Sequence, residues 1–452
     1  MEEYMKVLME QIRCKKARSY IQEEIQGHIE SQIEDNVAAG MSREEAERAA
    51  VEDMGSPVEA GIALDRIHRP KMNWGMVGLM ALIALAGIVL HELMWRHLGL
   101  YVQDSREFVK YTILGFLLML VVYRLDYSVI ARFSKIIAAG MLLGCLVAML
   151  QENFRGGIPY LQLFDWDILL YFPMLLYVPI YGAVIYKYYG QGYSGLWKAI
   201  LWMVAPVAMT FALPCFGLSL TLLLAMLVVL TIALVQGWFL VAQKKVVATL
   251  WGCCIGIPAL VLAVILKFDM LMEHQMVRIK AFFTYTDNQG ANYVTWMLRS
   301  LLEKCQLIGS GQGIWSYNEN LIEYWHGWNT YYIFSYVLLT YGILAGILLG
   351  CVLALLIFMI FRISVKQKNQ LAMLMGCGCG MVIGLNVVVN IGQNLGLLPI
   401  MEGFLPFFSR GGGGILVCYI LMGMILSIYR YKNIYPSHVN TDLGVARLTI
   451  RL

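Results

Sequence analysis

From residue 74 onward the sequence is a series of long apolar runs joined by short polar links, and this series constrains the fold more than any other feature. A helix needs roughly 20 apolar residues to cross the hydrocarbon core of a bilayer. About ten runs approach that length, near 74–92, 108–124, 136–150, 168–186, 197–213, 217–242, 246–268, 331–361, 371–392 and 412–429. Inside lipid each backbone N–H and C=O has to find its partner within the protein, so runs of this kind are helices. Hydrophobic residues make up 59% of the 452 and charged residues only 14%, more apolar surface than a water-facing globule could hide. The expected fold class is all-α: a polytopic membrane protein with about ten transmembrane helices and a small N-terminal cytoplasmic helical domain.

The basic residues orient the series. Arg124, Arg132, Lys135, Lys187, Lys198, Lys244, Lys245, Arg362, Lys366, Lys368, Arg430 and Lys432 fall in alternate short links or in the tail, which assigns those links to the cytoplasm. An even number of spans puts both termini there too, in a multi-pass plasma-membrane protein. The other side receives one long connection, about 269–330, of a length uncommon without a function. A net charge of +4, spread thinly, provides no basic face for nucleic acid. Cys145, Cys253, Cys254, Cys351, Cys377, Cys379 and Cys418 lie within apolar runs as small hydrophobes, and no zinc spacing or disulfide framework emerges. The start, MEEYMKVLMEQIRCKK, is polar and helical, so insertion is expected from internal segments.

The first 71 residues follow a different pattern. Ile21, Ile25, Ile29, Ile33 and Val37 recur at i+4 among charges, one apolar stripe of an amphipathic helix that stops at Gly40. Ser42 to Glu45 is a capping box before an alanine-rich helix ending at Gly55, and Ser56-Pro57 starts another. The stretch GMSREEAERAAVEDMGSPVEAG resembles the small helical prefix domains that precede various membrane proteins of Gram-positive bacteria. That resemblance implies either a topology-fixing head or a docking surface for a cytoplasmic regulator.

Between the last two apolar runs stands NIGQNLGLLPIMEGFLPFFSRGGGG, residues 390–414. Irregular backbone at membrane depth survives only where it is buried in protein or lines a cavity, and glycines let such backbone approach a ligand or a neighbouring helix. The stretch resembles the SEDS family of bacterial cell-wall proteins, the FtsW/RodA/SpoVE group, through Asn390, Asn394, Gly396, Pro399, Gly403, Pro406, Phe407, Ser409, Gly411 and Gly412. Asp126-Tyr127, the turn LPCFGLSL from Leu213, VRIKAFF with Arg278, Phe282 and Phe283, and IGSGQG from Ile308 look like further family elements. The resemblance covers roughly residues 74–432. It divides the chain into a prefix domain over 1–71, a SEDS-like transmembrane domain over 72–432 with a large extracellular loop at about 269–330, and a cytoplasmic tail over 433–452.

Family membership would imply binding of lipid II, an undecaprenyl-pyrophosphate disaccharide-pentapeptide, at the outer face, polymerisation of its sugars, and a class B penicillin-binding transpeptidase as partner. Such chemistry needs a base for the attacking hydroxyl and positive charge or oriented N–H groups for the departing pyrophosphate. Arg278, Lys280 and Arg410 are the expected anion partners, with Asn390, Asn394, Pro406, Ser409, Gly411 and Gly412 around the substrate. No cofactor is firmly implied, and a divalent cation beside the pyrophosphate is compatible with the site. The family's carboxylate position, aligned through Thr330, Ile333, Phe334 and Ser335, falls on Tyr331. Cys215 likewise replaces an aspartate, while Asp167 and Leu170 replace a glutamate and a lysine. Replacement bases are sought among the outer-segment groups Asp165, Asp167, Asp287, Glu303, Glu319, Glu323 and His326; Asp167 and His326 are the candidates carried forward, although the ordinary readings, a charge at a helix N-terminus and an interfacial histidine, stand beside them. The aromatic clusters YFPMLLYVPIYGAVIYKYYG and IEYWHGWNTYY are expected to be interfacial belts. Three functions follow from these readings: a divergent glycosyltransferase, a non-catalytic scaffold or regulator of cell-wall synthesis, and a precursor flippase or transporter.

Overall fold

The computed structural model describes residues 1–98, 102–151, 153–155, 158–163, 166–213, 215–267, 293–311, 328–399, 401 and 403–436. It opens with four helices, α1 (Glu2–Gln11), α2 (Lys15–Ala38), α3 (Arg43–Asp53) and α4 (Pro57–His68). The capping box forms as expected: the Ser42 side chain accepts from the Glu45 N–H and the Glu45 carboxylate accepts from the Ser42 N–H. Ser56 caps α4 with Pro57 at its first position. Leu8, Ile12, Ala17, Ile21, Ile29, Ala46 and Ala50 are buried here. The isoleucine stripe fades along α2, because Ile25 and Ile33 are half-buried and Val37 is exposed.

Next come α5 (Trp74–Leu98), α6 (Val102–Arg124), α7 (Tyr127–Arg132) and α8 (Ser134–Gln151). A small antiparallel sheet, β1 (Phe154–Arg155), β2 (Ile158–Leu163) and β3 (Trp166–Leu169), stands at the far end of α8, with Tyr160 opposite Leu169 and Gln162 opposite Asp167. The chain continues through α9 (Tyr171–Leu175), α10 (Tyr177–Tyr186), α11 (Gly192–Ala212), α12 (Phe216–Val235), α13 (Gln243–Lys267), α14 (Tyr293–Leu302), α15 (Ile333–Tyr341), α16 (Ile343–Val365), α17 (Gln370–Asn394) and α18 (Gly412–Arg430). Among the described residues seven helices, α5, α8, α11, α12, α16, α17 and α18, are long and apolar enough to cross a membrane. The fold is an all-α polytopic membrane bundle with this one sheet added.

The bundle has a centre and a periphery. The apolar windows of α17 and α18 are 72% buried, against 22% for α8 and α16, so the latter turn most of their side chains outward. Leu143, Ile347, Leu348 and Phe358 on those two helices are exposed, as lipid-facing residues should be. Small residues bring the central backbones together: a Cβ at Gly182 of α10 would meet the Leu374 backbone of α17 at 3.2 Å, and one at Gly378 would meet Pro179 at 3.1 Å.

Three departures from the sequence reading have local causes. The run 168–186 begins as strand β3 and continues as α9 and α10. The run 331–361 breaks at Gly342, whose φ of +92° ends α15 where the 306–308 backbone crosses; a Cβ there would sit 2.8 Å from Leu307 O. Most tyrosines of the first aromatic cluster are core residues rather than an interfacial belt: Tyr171, Tyr177 and Tyr181 are buried, with hydroxyls donating to Asn386 Oδ1, Trp202 O and Ala199 O at 3.2, 2.9 and 3.2 Å, and Tyr186 and Tyr188 are buried too, whereas Tyr189 is exposed. A buried phenol is tolerated where its hydroxyl finds a partner, and here other helices supply one.

Candidate functional site

The last turns of α17 carry Asn386, Asn390, Gln393 and Asn394, which share one helix face by their spacing and are all buried. In an apolar bundle such amides persist only if hydrogen-bonded. Asn390 Nδ2 donates to Tyr331 O and Gly403 O, both at 3.0 Å. Asn394 Nδ2 donates to Tyr331 O at 2.8 Å, and its Oδ1 accepts from the Ser335 N–H at 2.9 Å and from Ser335 Oγ at 2.7 Å. Since Ser335 lies in the first turn of α15, Asn394 satisfies one of the N–H groups that a helix start leaves without an internal partner. Gln393 Nε2 donates to Gly403 O at 2.9 Å and its Oε1 accepts from the Met401 N–H at 3.1 Å.

The segment 403–411 folds back over this face. Phe407 takes φ +68°, a left-handed value that non-glycine residues seldom adopt, and the Ser409 N–H donates to Leu405 O at 2.9 Å. Ser409 Oγ accepts from the Leu405 N–H at 2.7 Å and donates to Thr330 O. The Arg410 N–H donates to Asn329 O at 2.6 Å. His91 of α5, buried and stacked on Phe108 at 3.8 Å, has Nε2 2.7 Å from Phe408 O. Arg410 reaches α6, where its guanidinium donates to Glu107 at 3.0 Å. The turn, the 329–331 strand of backbone and the end of α17 thus form one stitched cluster, at the end of the bundle opposite the N-terminal helices.

The four glycines divide. A Cβ at Gly412 would lie 2.7 Å from the Tyr111 ring, at Gly413 2.4 Å from the Phe172 ring, and at Gly414 3.1 Å from Phe172 and 3.2 Å from Phe404. Those three admit aromatic neighbours. Gly411, at φ +149°, faces open space beside the Arg410 side chain, and Gly411 to Gly413 are all half-buried while Gly414 is buried. The N–H groups beginning α18 lie here as well, and a helix N-terminus favours anions.

Of the residues expected at a site, Asn390, Asn394, Ser409, Arg410 and the backbone of Tyr331 come together, with Pro406 buried in the turn. Tyr331 is half-buried, its ring 6.4 Å from that of Tyr332. Asp167 is exposed on β3, opposite Gln162, and so is not the helix N-terminal charge expected of it. Cys215 is buried at the start of α12. Arg278, Lys280, His326, Asp165, Asp287, Glu319 and Glu323 lie outside the described residues. Among the described residues no group of three or more His, Cys, Asp or Glu side chains could hold a metal ion. Sequence reasoning missed His91, Glu107 and Arg299. A histidine alone in the apolar run of α5 and a glutamate one turn before an apolar run were the available signals; nothing local marked Arg299, which donates to Gly396 O and ties α14 to the turn after α17.

Residues 97–434 match a family model described as cell cycle protein, FtsW/RodA/SpoVE. Among curated relatives, a probable peptidoglycan glycosyltransferase FtsW of Enterococcus hirae is 31% identical over 212 residues, covering 45% of this chain and 52% of that one. The chain thus spans about half the length of that relative. One of the same description from Wigglesworthia glossinidia brevipalpis is 23% identical over 343 residues, covering 72% and 84%. Among solved structures, a chain of a peptidoglycan synthase complex that coordinates polymerization and crosslinking superposes with a TM-score of 0.63 at 20% identity, covering 79% of this chain and 98% of that one. The rod shape determining protein RodA of Thermus thermophilus gives 0.53 at 17% identity, covering 80% and 97%. At these identities the solved structures speak for the fold.

Proposed function

We propose a function from one premise: the chain belongs to the FtsW/RodA/SpoVE family of cell cycle proteins. On that premise it is an integral membrane protein of peptidoglycan assembly that binds a polyprenyl-pyrophosphate-linked glycan precursor, lipid II, at the outer face. The observation that carries this reading is the cluster in which the turn at Ser409–Arg410 is hydrogen-bonded to Thr330 and Asn329, while Asn390 and Asn394 grip Tyr331 O. Arg410, held by Glu107, supplies a guanidinium for the pyrophosphate, a bidentate match for phosphate oxygens. Gly411 lets that group approach the backbone. Asn390, Asn394 and His91 act as positioning residues, since their polar atoms face protein carbonyls, and Arg278 and Lys280 extend the anion site from the long outer connection. The same reading puts about ten spans in the membrane and both termini in the cytoplasm, with a class B penicillin-binding transpeptidase as extracellular partner and a cytoplasmic regulator at residues 1–71.

A second reading, a scaffold or regulator that binds precursor without polymerising it, is favoured by Tyr331. An ordinary phenol is ionised in about one molecule in a thousand at pH 7, a poor substitute for a carboxylate base. Removing a general base typically costs a factor of about 10² to 10⁴ in rate. Purified full-length protein incubated with lipid II tests both readings. The native chain should retain lipid II and form glycan slowly, and Tyr331→Asp should raise the rate by about 10²-fold or more. Rapid polymerisation by the native chain would overturn the second reading, and failure to retain lipid II would overturn both.

A further inference from the structure

At the end of the bundle that carries the N-terminal helices, a cavity of about 340 Å³ opens between the link before α5, the last turns of α16 and the end of α18. Arg362, Lys366 and Lys432 all line it, and no carboxylate does. Three like charges around one recess repel each other, and none of the three has an ion-pair partner among the described residues. The arrangement therefore favours an anion, and its position narrows the kind. Met359 and Ile363, one turn apart on α16, form the wall towards the membrane-spanning part of the helix, while Lys366 lies just past its end. Charges at the water boundary above an apolar wall match an amphiphile better than a soluble ion. The flank of α16 is open to lipid, with Leu355 and Phe358 exposed.

Gln367 specifies the headgroup further. Its side chain is buried in the cavity lining, with Nε2 donating to Ile363 O at 3.0 Å, whereas Oε1 has no hydrogen-bond partner among the described residues. An unpaired buried acceptor costs about 1–3 kcal/mol, and a ligand hydroxyl would remove that cost. We propose that this recess binds an anionic phospholipid whose headgroup carries a phosphodiester and free hydroxyls, as phosphatidylglycerol does. Arg362, Lys366 and Lys432 hold the phosphodiester, Gln367 Oε1 accepts from a headgroup hydroxyl, and the acyl chains run along α16. Basic recesses between helix ends are an established physical basis for selecting anionic lipids. The bound headgroup bridges the ends of α16 and α18.

Native mass spectrometry of the purified full-length protein, exchanged into equal amounts of phosphatidylglycerol and phosphatidylcholine, tests this. The wild-type chain should retain phosphatidylglycerol preferentially, and the triple variant Arg362→Gln, Lys366→Gln, Lys432→Gln should lose that preference at least about tenfold. A second triple variant, Lys198→Gln, Lys244→Gln, Lys245→Gln, removes the same charge elsewhere and should keep it. Gln367→Leu, a change of one neutral side chain, should lower retention of phosphatidylglycerol relative to phosphatidic acid. Equal loss in both triple variants would reduce the effect to bulk charge and overturn the site. Displacement of the lipid by millimolar inorganic phosphate or glycerol 3-phosphate would identify a soluble anion site and overturn the lipid assignment, as would equal retention of both lipids by the wild type.

Discussion

Asn394 serves five atoms at once: its side chain accepts from the N–H and hydroxyl of Ser335 and donates to the carbonyls of Tyr331 and Asn390 and to Asn390 Oδ1. Asn394→Ala orphans buried groups on two segments, so it should destabilise the bundle by about 1–3 kcal/mol, read as a lower midpoint of thermal unfolding in detergent. Asn394→Asp removes the donor while keeping the acceptor, and should be nearly as harmful because a carboxylate would face Tyr331 O. His91→Phe keeps the stack on Phe108 and loses only the bond to Phe408 O; a loss of about 0.5–1.5 kcal/mol would support a positioning role, and an unchanged midpoint would remove it. At this scale sequence reasoning found Asn390, Asn394 and Ser409 through the resemblance of the 390–414 stretch to the family's motif. It could not tell what they bond, since Tyr331, Gly403 and Thr330 arrive from other parts of the chain. The neighbours of Gly412 and Gly413 were hidden for the same reason.

Among elements, the short helix α7 shows how the N-terminal helices meet the bundle. Asp126 caps it, accepting from the Ser128 N–H at 2.9 Å, and is buried while accepting also from Lys16 of α2 and from the Tyr435 hydroxyl. Tyr20 packs edge-on against Tyr435 at 5.8 Å, and Asn433 Nδ2 donates to Ile67 O at 3.2 Å. Burial by itself would raise the Asp126 carboxyl, but the bonds from Lys16, Tyr435 and Ser128 prevail and hold it below its ordinary value. For Lys16 burial lowers and Asp126 raises, and the net direction is upward. A depressed carboxyl contributes stability above its unfolded value that is lost as pH falls through the folded one; a raised lysine contributes below its unfolded value and loses it as pH rises through the folded one. The junction should therefore be firmest from about pH 5 to pH 9 and loosen on acidification, seen as faster hydrogen exchange in α2. Asp126→Asn should weaken the junction at neutral pH and flatten its acid limb; an unaltered acid limb would show that other groups control it. The apolar runs announced the long helices because length alone separates a span from a strand. The sheet at 154–169 was not legible, since segments of two to six residues carry too few alternations to be told from the start of a helix.

For the molecule as a whole, the division into a polar N-terminal part and an apolar bundle was legible from composition, as was membership of the family, through the 390–414 stretch. Which helices are central was not: α16 has the highest mean hydropathy of the seven spans and is peripheral, while α17, rich in glycine and asparagine, is at the centre. Hydropathy reports transfer into lipid, and helix contact inside lipid depends instead on small and polar residues. Hydropathy accordingly does not rank burial: α12, second of the seven in mean hydropathy, is 61% buried, whereas α8, less hydrophobic than α17, is only 22% buried. The central claim is that the Ser409–Gly411 turn forms part of a precursor site through Arg410. Equilibrium binding of lipid II to purified full-length protein tests it most directly, comparing the native chain with Arg410→Ala and with Arg96→Ala, which removes an equal charge from the exposed end of α5. The account predicts saturable binding that Arg410→Ala weakens by about tenfold or more and Arg96→Ala does not; equal affinity of all three proteins would contradict it.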